Sequence, residues 1–141
     1  MRYEDIRWER GGGRATITID RPDRLNAFRT RTIEELADAF ERAASEEGVG
    51  VVVLTGAGDR AFCVGGDVRE PTRGTAGKRA SHALANRLAC AMRNCGVPII
   101  ARVRGYCIGG GNELNMACDL TISGTSGRFG QAGPRIGTAP L

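Results

Sequence analysis

The chain has 141 residues, 41% hydrophobic and 26% charged, with 20 Lys+Arg against 16 Asp+Glu and a net charge of +4. That length admits one domain or part of one, with enough apolar content for a packed core. The positive charge is nearly all arginine, scattered along the chain without a basic run interleaved with aromatics, which argues against a nucleic-acid partner.

Residues 3–9 and 14–20 predict a hairpin around Gly11-Gly12-Gly13, the second strand alternating Ala15, Ile17 and Ile19 with polar residues. Arg21 to Phe28 reads as a loop. Thr32-Ile33-Glu34-Glu35 has the spacing of a capping box. An apolar stripe of Ile33, Leu36, Ala37, Phe40 and Ala44 then predicts a helix ending near Gly48. Val51-Val52-Val53-Leu54 suits a buried parallel strand. A polar, Gly/Pro-bearing loop is expected over 68–77, a helix over 78–94, and a strand over 98–104. A short helix over 111–117 and a strand at Leu120-Thr121-Ile122 follow, and 129–141 reads as a loop with no closing element. The repeated strand-strand-helix order argues an α/β fold, and the unsupported Gly/Pro ending suggests truncation.

Five cysteines with no Cys-x-x-Cys pair, and one histidine (His82), make a metal site an unexpected feature. No leader-like or membrane-spanning run is present, so no membrane partner is expected, and reduced thiols suggest a cytoplasmic setting. Gly56-Ala57-Gly58 after an apolar strand imitates a dinucleotide fingerprint, but Ala61 holds the third glycine position and the following residues read as another short strand and turn instead of a helix, so an ordinary turn is expected. Gly105-Tyr106-Cys107-Ile108-Gly109 has the nucleophile-elbow spacing of a cysteine-dependent α/β-hydrolase, a minor alternative, yet no histidine follows Cys107 and a small packing residue is the expected role.

The densest signal is Gly109-Gly110-Gly111-Asn112-Glu113. Glycines at a helix start expose N–H groups without helical partners, able to hold a developing oxyanion, and a first-turn carboxylate could move protons beside it. On spacing alone, Glu113 as a solvated helix residue is an equal alternative. Ala61-Phe62-Cys63-Val64-Gly65-Gly66-Asp67 is a second turn of the same kind, or an ordinary turn.

Together with Arg21-Pro22-Asp23-Arg24-Leu25-Asn26-Ala27, Val52 to Gly56, Pro98 to Ala101, Cys118-Asp119-Leu120 and Phe129-Gly130-Gln131, these segments resemble the crotonase, or enoyl-CoA hydratase/isomerase, family. The resemblance implies a spiral of strand-strand-helix turns, with residues 1–141 the N-terminal part of a single acyl-CoA-binding domain. It implies that the Gly66 and Gly110 amides form an oxyanion hole for a thioester carbonyl and that Glu113 is a catalytic carboxylate. Arg24, Leu25 and Ala27 would line the CoA path, with Val64, Asp67 and Val68 near the first turn. Coenzyme A enters as part of the substrate, with no separate cofactor, and a homotrimer or hexamer is implied for a full-length form.

The second glutamate of the hydratases would fall at Gly133, which would then only line the substrate site. Gly-Gln-x-Gly-Pro and the Arg29 neighbourhood resemble the branch of 1,4-dihydroxy-2-naphthoyl-CoA synthases and alicyclic ring-cleaving acyl-CoA hydrolases. Those synthases lack a glutamate at Glu113 and carry an aspartate at Pro140. Gly137-Thr138-Ala139-Pro140 looks closest to hydrolases of oxo-cyclohexene-carbonyl-CoA. Hydration, isomerisation and ring cleavage all stay open, as does a non-catalytic CoA-binding or subunit-interaction fragment.

Overall fold

Two strands, β1 (Ile6–Gly11) and β2 (Arg14–Ile19), pair antiparallel with Ile6 opposite Ile19 and Gly11 opposite Arg14. Gly12 and Gly13 between them both take positive φ (59° and 76°), the two-residue turn whose twist matches a hairpin. The computed structural model describes residues 3–70 and 74–133. The predicted hairpin is present, shifted two to three residues towards the glycines at its first strand.

Helix α1 spans Thr30–Ser45, two residues earlier than the expected cap. Thr32 is the third helical residue, and its hydroxyl accepts the Arg29 N–H at 3.1 Å. Glu35, expected to close the capping box, instead accepts the backbone N–H groups of Glu4 and Asp5 at 2.9 and 2.8 Å. Two orphan donors of the N-terminal segment thus outcompete the helix for that carboxylate. Leu36, Ala37 and Phe40 are buried as expected; Ala43 is buried and Ala44 exposed. The chain leaves the helix at Glu46, and Gly48 turns it with φ 78°.

Strands β3 (Val51–Gly56) and β4 (Ala61–Cys63) come next, followed by α2 (Gly74–Arg93). The expected 68–77 loop is therefore shorter, because 74–77 already belong to α2; its 71–73 portion lies outside the described residues. Strand β5 (Ile99–Val103), strand β6 (Tyr106–Ile108) and helix α3 (Gly110–Met116) form the next unit. Strands β7 (Leu120–Ser123) and β8 (Arg128–Gly130) follow. The first residues of the expected terminal loop are thus a strand, while 134–141, including the Gly137–Pro140 pattern, lie outside the described residues.

The strands sort into two sheets. One has the order β1-β2-β3-β5-β7, parallel from β2 onward; the other is β4-β6-β8, all parallel. From β3 onward, each unit adds one strand to each sheet, so the chain winds as a spiral of strand-strand-helix turns, the fold class expected. Between sheets and helices lie Ile17, Ile19, Leu36, Phe40, Val52, Leu54, Phe62, Ile99 and Val103, all fully buried. Each such side chain stabilises the fold by about 1.5–3 kcal/mol. Successive parallel strands end side by side, which brings distant loops to one edge.

Candidate functional site

The small sheet delivers three loops to one place. Its strands are parallel, so the segments leaving β4, β6 and β8 emerge at the same end: Val64–Asp67, Gly109–Glu113 and Gln131. Each of the three glycines after β6 has its own cause. Gly109 adopts φ 55° and ψ −127°, a backbone state closed to other residues. A Cβ on Gly110 would stand 2.7 Å from the Phe28 ring, and one on Gly111 would stand 2.1 Å from the Cys63 carbonyl oxygen. The run is thus required by the close approach of α3 to β4 and Phe28.

The first turn meets the second directly. Gly65 has φ 92°, and a Cβ there would lie 3.1 Å from the Gly110 nitrogen. Phe28 and Gly66 form a parallel bridge: the Phe28 N–H donates to Gly65 O at 2.9 Å and the Asp67 N–H to Phe28 O at 2.8 Å. That register leaves the Gly66 N–H outside the pairing. Among the described residues, neither the Gly66 nor the Gly110 N–H has an acceptor. Gly66 is exposed and Gly110 half-buried.

Glu113 lies one turn into α3, its Oε1 accepting from Gln131 Nε2 at 2.7 Å. Beside it is a cavity of about 160 Å³, with Gly110 and Glu113 at one side. Its walls are mostly apolar, from Phe28, Ile33 of α1, Leu88 and Met92 of α2 and Leu114 of α3, with Asn86 of α2 a polar member. Among the lining residues, Glu113 is the one carboxylate. Neither Phe28 nor the α2 residues stood out in the sequence. The signal was the apolar spacing of Ala85, Leu88, Ala89 and Met92, which reads equally as core.

The other expected binding residues separate. Arg24 is exposed at the end of a 3-10 turn, Pro22–Arg24, and Leu25 and Asn26 follow in the left-handed region with φ 50° and 56°. Ala27 is buried, its carbonyl accepting from Arg21. The Asp67 carboxylate is occupied, meeting Arg21 at 3.0 Å and the Arg69 N–H at 3.1 Å. Val64 is half-buried, whereas Val68 is 91% exposed. Gly133 is buried and brings no side chain to the place of a second carboxylate.

Asn26 organises this strip. Its side chain accepts the Arg21 N–H at 3.0 Å and donates to Ala57 O and Ala61 O at 3.0 and 2.8 Å. A Cβ on Gly56 would lie 2.2 and 2.5 Å from the Phe62 and Ala61 carbonyl oxygens and 2.6 Å from the Asn26 amide nitrogen, so Gly56 is small to admit the β4 backbone together with Asn26, and β4 rather than a helix follows. The Gly56-Ala57-Gly58 segment is a strand-to-strand turn. Cys107 is wholly buried, and burial pushes its thiol up to about 12. Its Sγ is turned to the Gly111 carbonyl at 3.7 Å inside the core, the setting of a packing residue rather than an activated thiolate.

Among the described residues no group of three or more His, Cys, Asp or Glu could hold a metal, and no helix is long and apolar enough to cross a membrane.

Residues 9–141 match the family model described as enoyl-CoA hydratase/isomerase. Among solved structures, an enoyl-CoA hydratase/carnithine racemase from Magnetospirillum magneticum is 35% identical with a TM-score of 0.93, covering 99% of this chain and 54% of its own. An enoyl-CoA hydratase/isomerase from Xanthobacter autotrophicus Py2 is 32% identical with a TM-score of 0.92, covering 99% and 53%. An enoyl-CoA hydratase from Bacillus anthracis is 27% identical with a TM-score of 0.91, covering 97% and 54%. The chain therefore spans about half the length of these structures. The likenesses reach the family but give no support to the naphthoyl-CoA synthase branch expected from Gly-Gln-x-Gly-Pro. With the spiral fold and the family match over almost the whole chain, the chain belongs to the enoyl-CoA hydratase/isomerase family.

Proposed function

We propose that this chain binds an acyl-CoA thioester and stabilises its enolate between the Gly66 and Gly110 amides, with Glu113 as the proton-transferring carboxylate. The observation that carries this reading is the pair of N–H groups without acceptors among the described residues, on touching turns beside a mostly apolar cavity whose one carboxylate among the described lining residues is Glu113. Glu113 takes a proton from the carbon next to the thioester carbonyl, the C–H electron pair moves into the carbonyl, and the oxyanion accepts both N–H groups. Each such donor is worth about 3–4 kcal/mol to the transition state. Helix α3 has seven residues, so the N–H groups themselves matter more here than a macrodipole.

The acyl tail fits the cavity between α2 and α3. An apolar cavity of roughly 150 Å³ holds a benzene ring, so about one six-membered ring or a short branched chain suits the space. Isomerisation would follow from this enolate by reprotonation further along the chain, whereas hydration would reach it by water adding to the far carbon of a conjugated double bond, with protonated Glu113 then giving a proton to the carbon next to the carbonyl; ring cleavage would need the same oxyanion held. CoA itself would run past Arg24, Leu25 and Ala27, with Val64, Asp67 and Val68 beside the first turn and Gly133 closing the substrate site.

The test is solvent-deuterium exchange at the carbon adjacent to the thioester carbonyl. The expected outcome is exchange by the wild type and a drop of about 10²-fold or more in Glu113→Gln, with ester binding retained. A second reading, a CoA-binding fragment without catalysis, is favoured by the half-length coverage and by Gly133; it predicts binding without exchange in either protein. Absence of ester binding would sink both readings.

A further inference from the structure

We infer that Arg21 is a positioning residue for the Gly66 amide, an inference that rests on the oxyanion reading above. The first turn is tied to the Phe28 segment by two backbone hydrogen bonds, Phe28 N–H to Gly65 O and Asp67 N–H to Phe28 O. The first of those bonds holds the carbonyl of the Gly65–Gly66 peptide and, through the planar amide, the direction of the Gly66 N–H, so that N–H is only as fixed as the bridge itself. Arg21 holds the bridge together. One guanidinium nitrogen donates to the carbonyl of Ala27, the residue before Phe28, and the other meets the carboxylate of Asp67, the residue after Gly66, at 3.0 Å. One planar fork therefore clamps both arms of the bridge.

The fork is itself held. Its Nε lies 3.8 Å from Asp5 Oδ2, and the Arg21 backbone N–H donates to the Asn26 side chain. Side-chain exposure is 14% for Arg21 and 13% for Asp67, so solvent screens the pair weakly. Asp5 is in turn fixed by Arg29, whose Nε and terminal nitrogen each lie 2.8 Å from its oxygens, and by the Thr32 hydroxyl at 2.6 Å. The first turn of the site is thereby referred through Arg21 to the start of α1. A lysine carries the same charge but cannot present two parallel donors in a fixed plane, so charge alone does not reproduce the clamp.

The experiment reads the amide's effect on a carbonyl rather than stability. A conjugated aryl-enoyl-CoA absorbs in the near ultraviolet, and hydrogen bonds to its thioester oxygen move that band to longer wavelength. The shift is recorded at saturating protein, so that weaker binding alone leaves it unchanged, with far-ultraviolet circular dichroism checking the fold. The expected result is a clear shift for wild type, one smaller by about half or more in Arg21→Lys, and none in Arg21→Gln. Asp67→Asn, which keeps the shape of the acceptor and drops its charge, should fall between wild type and Arg21→Gln. A wild-type shift that persists unchanged in the folded variants overturns the role of Arg21 and leaves the oxyanion reading standing. Loss of the fold in both Arg21→Lys and Asp67→Asn overturns it too, since Arg21 would then support the whole domain. No shift in wild type sinks the oxyanion reading and the positioning role with it.

Discussion

Asn26 shows how much one side chain can decide. It sits in the left-handed region, which asparagine tolerates better than most residues, and uses its amide on three backbone groups of two separate segments. Replacement by alanine leaves the Arg21 N–H and the Ala57 and Ala61 carbonyls without that partner. At about 1 kcal/mol for each lost bond, Asn26→Ala should cost about 3 kcal/mol in urea unfolding. Asn26→Gly should recover about 1 kcal/mol of that by relieving the backbone, and no more. The sequence shows an Arg-Pro-x-x-Leu-Asn-Ala string, but neither periodicity nor propensity reveals that its asparagine reaches 31 and 35 residues along the chain. Arg21 was illegible for the same reason: its partners Asp5, Ala27 and Asp67 are brought together only by the closed fold.

At the scale of elements, the glycine run makes α3 and β4 a single packed unit. Gly111 touches the Cys63 carbonyl, part of the backbone, which cannot swing aside as a side-chain end does. Gly111→Ala should therefore lower stability by about 1–3 kcal/mol, seen as a lower urea midpoint with an unchanged m-value. Strand and helix existence was readable from apolar period, because each element buries one face and the period records it. Boundaries were less readable. Helix α1 starts at Thr30 because Thr32 caps it from the third helical position, Glu35 being taken by Glu4 and Asp5, and α2 begins four residues before its expected start. The short strands β4, β6 and β8 have three residues each, too few for a period to show, yet they set the site. The two turns could be picked out by their glycines, whereas their contact through Phe28 is a property of the assembled sheet.

At the scale of the whole molecule, part of the pH response sits where the N-terminal segment meets α1. Burial, the largest influence, pushes the Asp5 carboxyl up, but the Arg29 and Thr32 hydrogen bonds and the charges of Arg29 and Arg21 outweigh it, leaving it below the usual carboxylate range. A folded value below the unfolded one means this stabilisation is present above the ordinary carboxylate pKa and is lost as pH falls through the lowered one. Tyr3 is the opposite case. Burial and its 2.6 Å hydrogen bond to Asp38 raise it to about 12, so its contribution is complete below the ordinary tyrosine pKa and is lost as pH rises through about 12. Urea midpoints across pH should decline at both ends. Asp5→Asn should flatten the acid limb, and Tyr3→Phe should lessen the alkaline limb without removing it, because burial also raises the Cys63, Cys107 and Cys118 thiols to about 12.

The spiral also has a consequence for how stability is distributed. Beyond the hairpin, each strand of the larger sheet pairs only with the strands of adjacent turns: β3 with β2 and β5, and β5 with β3 and β7. Cohesion is then close to a sum of nearest-neighbour terms, as in a one-dimensional array. The innermost turns, flanked on both sides, hold Val52, Leu54 and Ile99 in the core, while all four residues of β7 are exposed, Leu120 and Ile122 among them. Among the described residues β7 pairs with β5 alone, whereas β3 and β5 each pair on both sides, so separating β3 or β5 breaks two strand interfaces of the larger sheet and separating β7 breaks one.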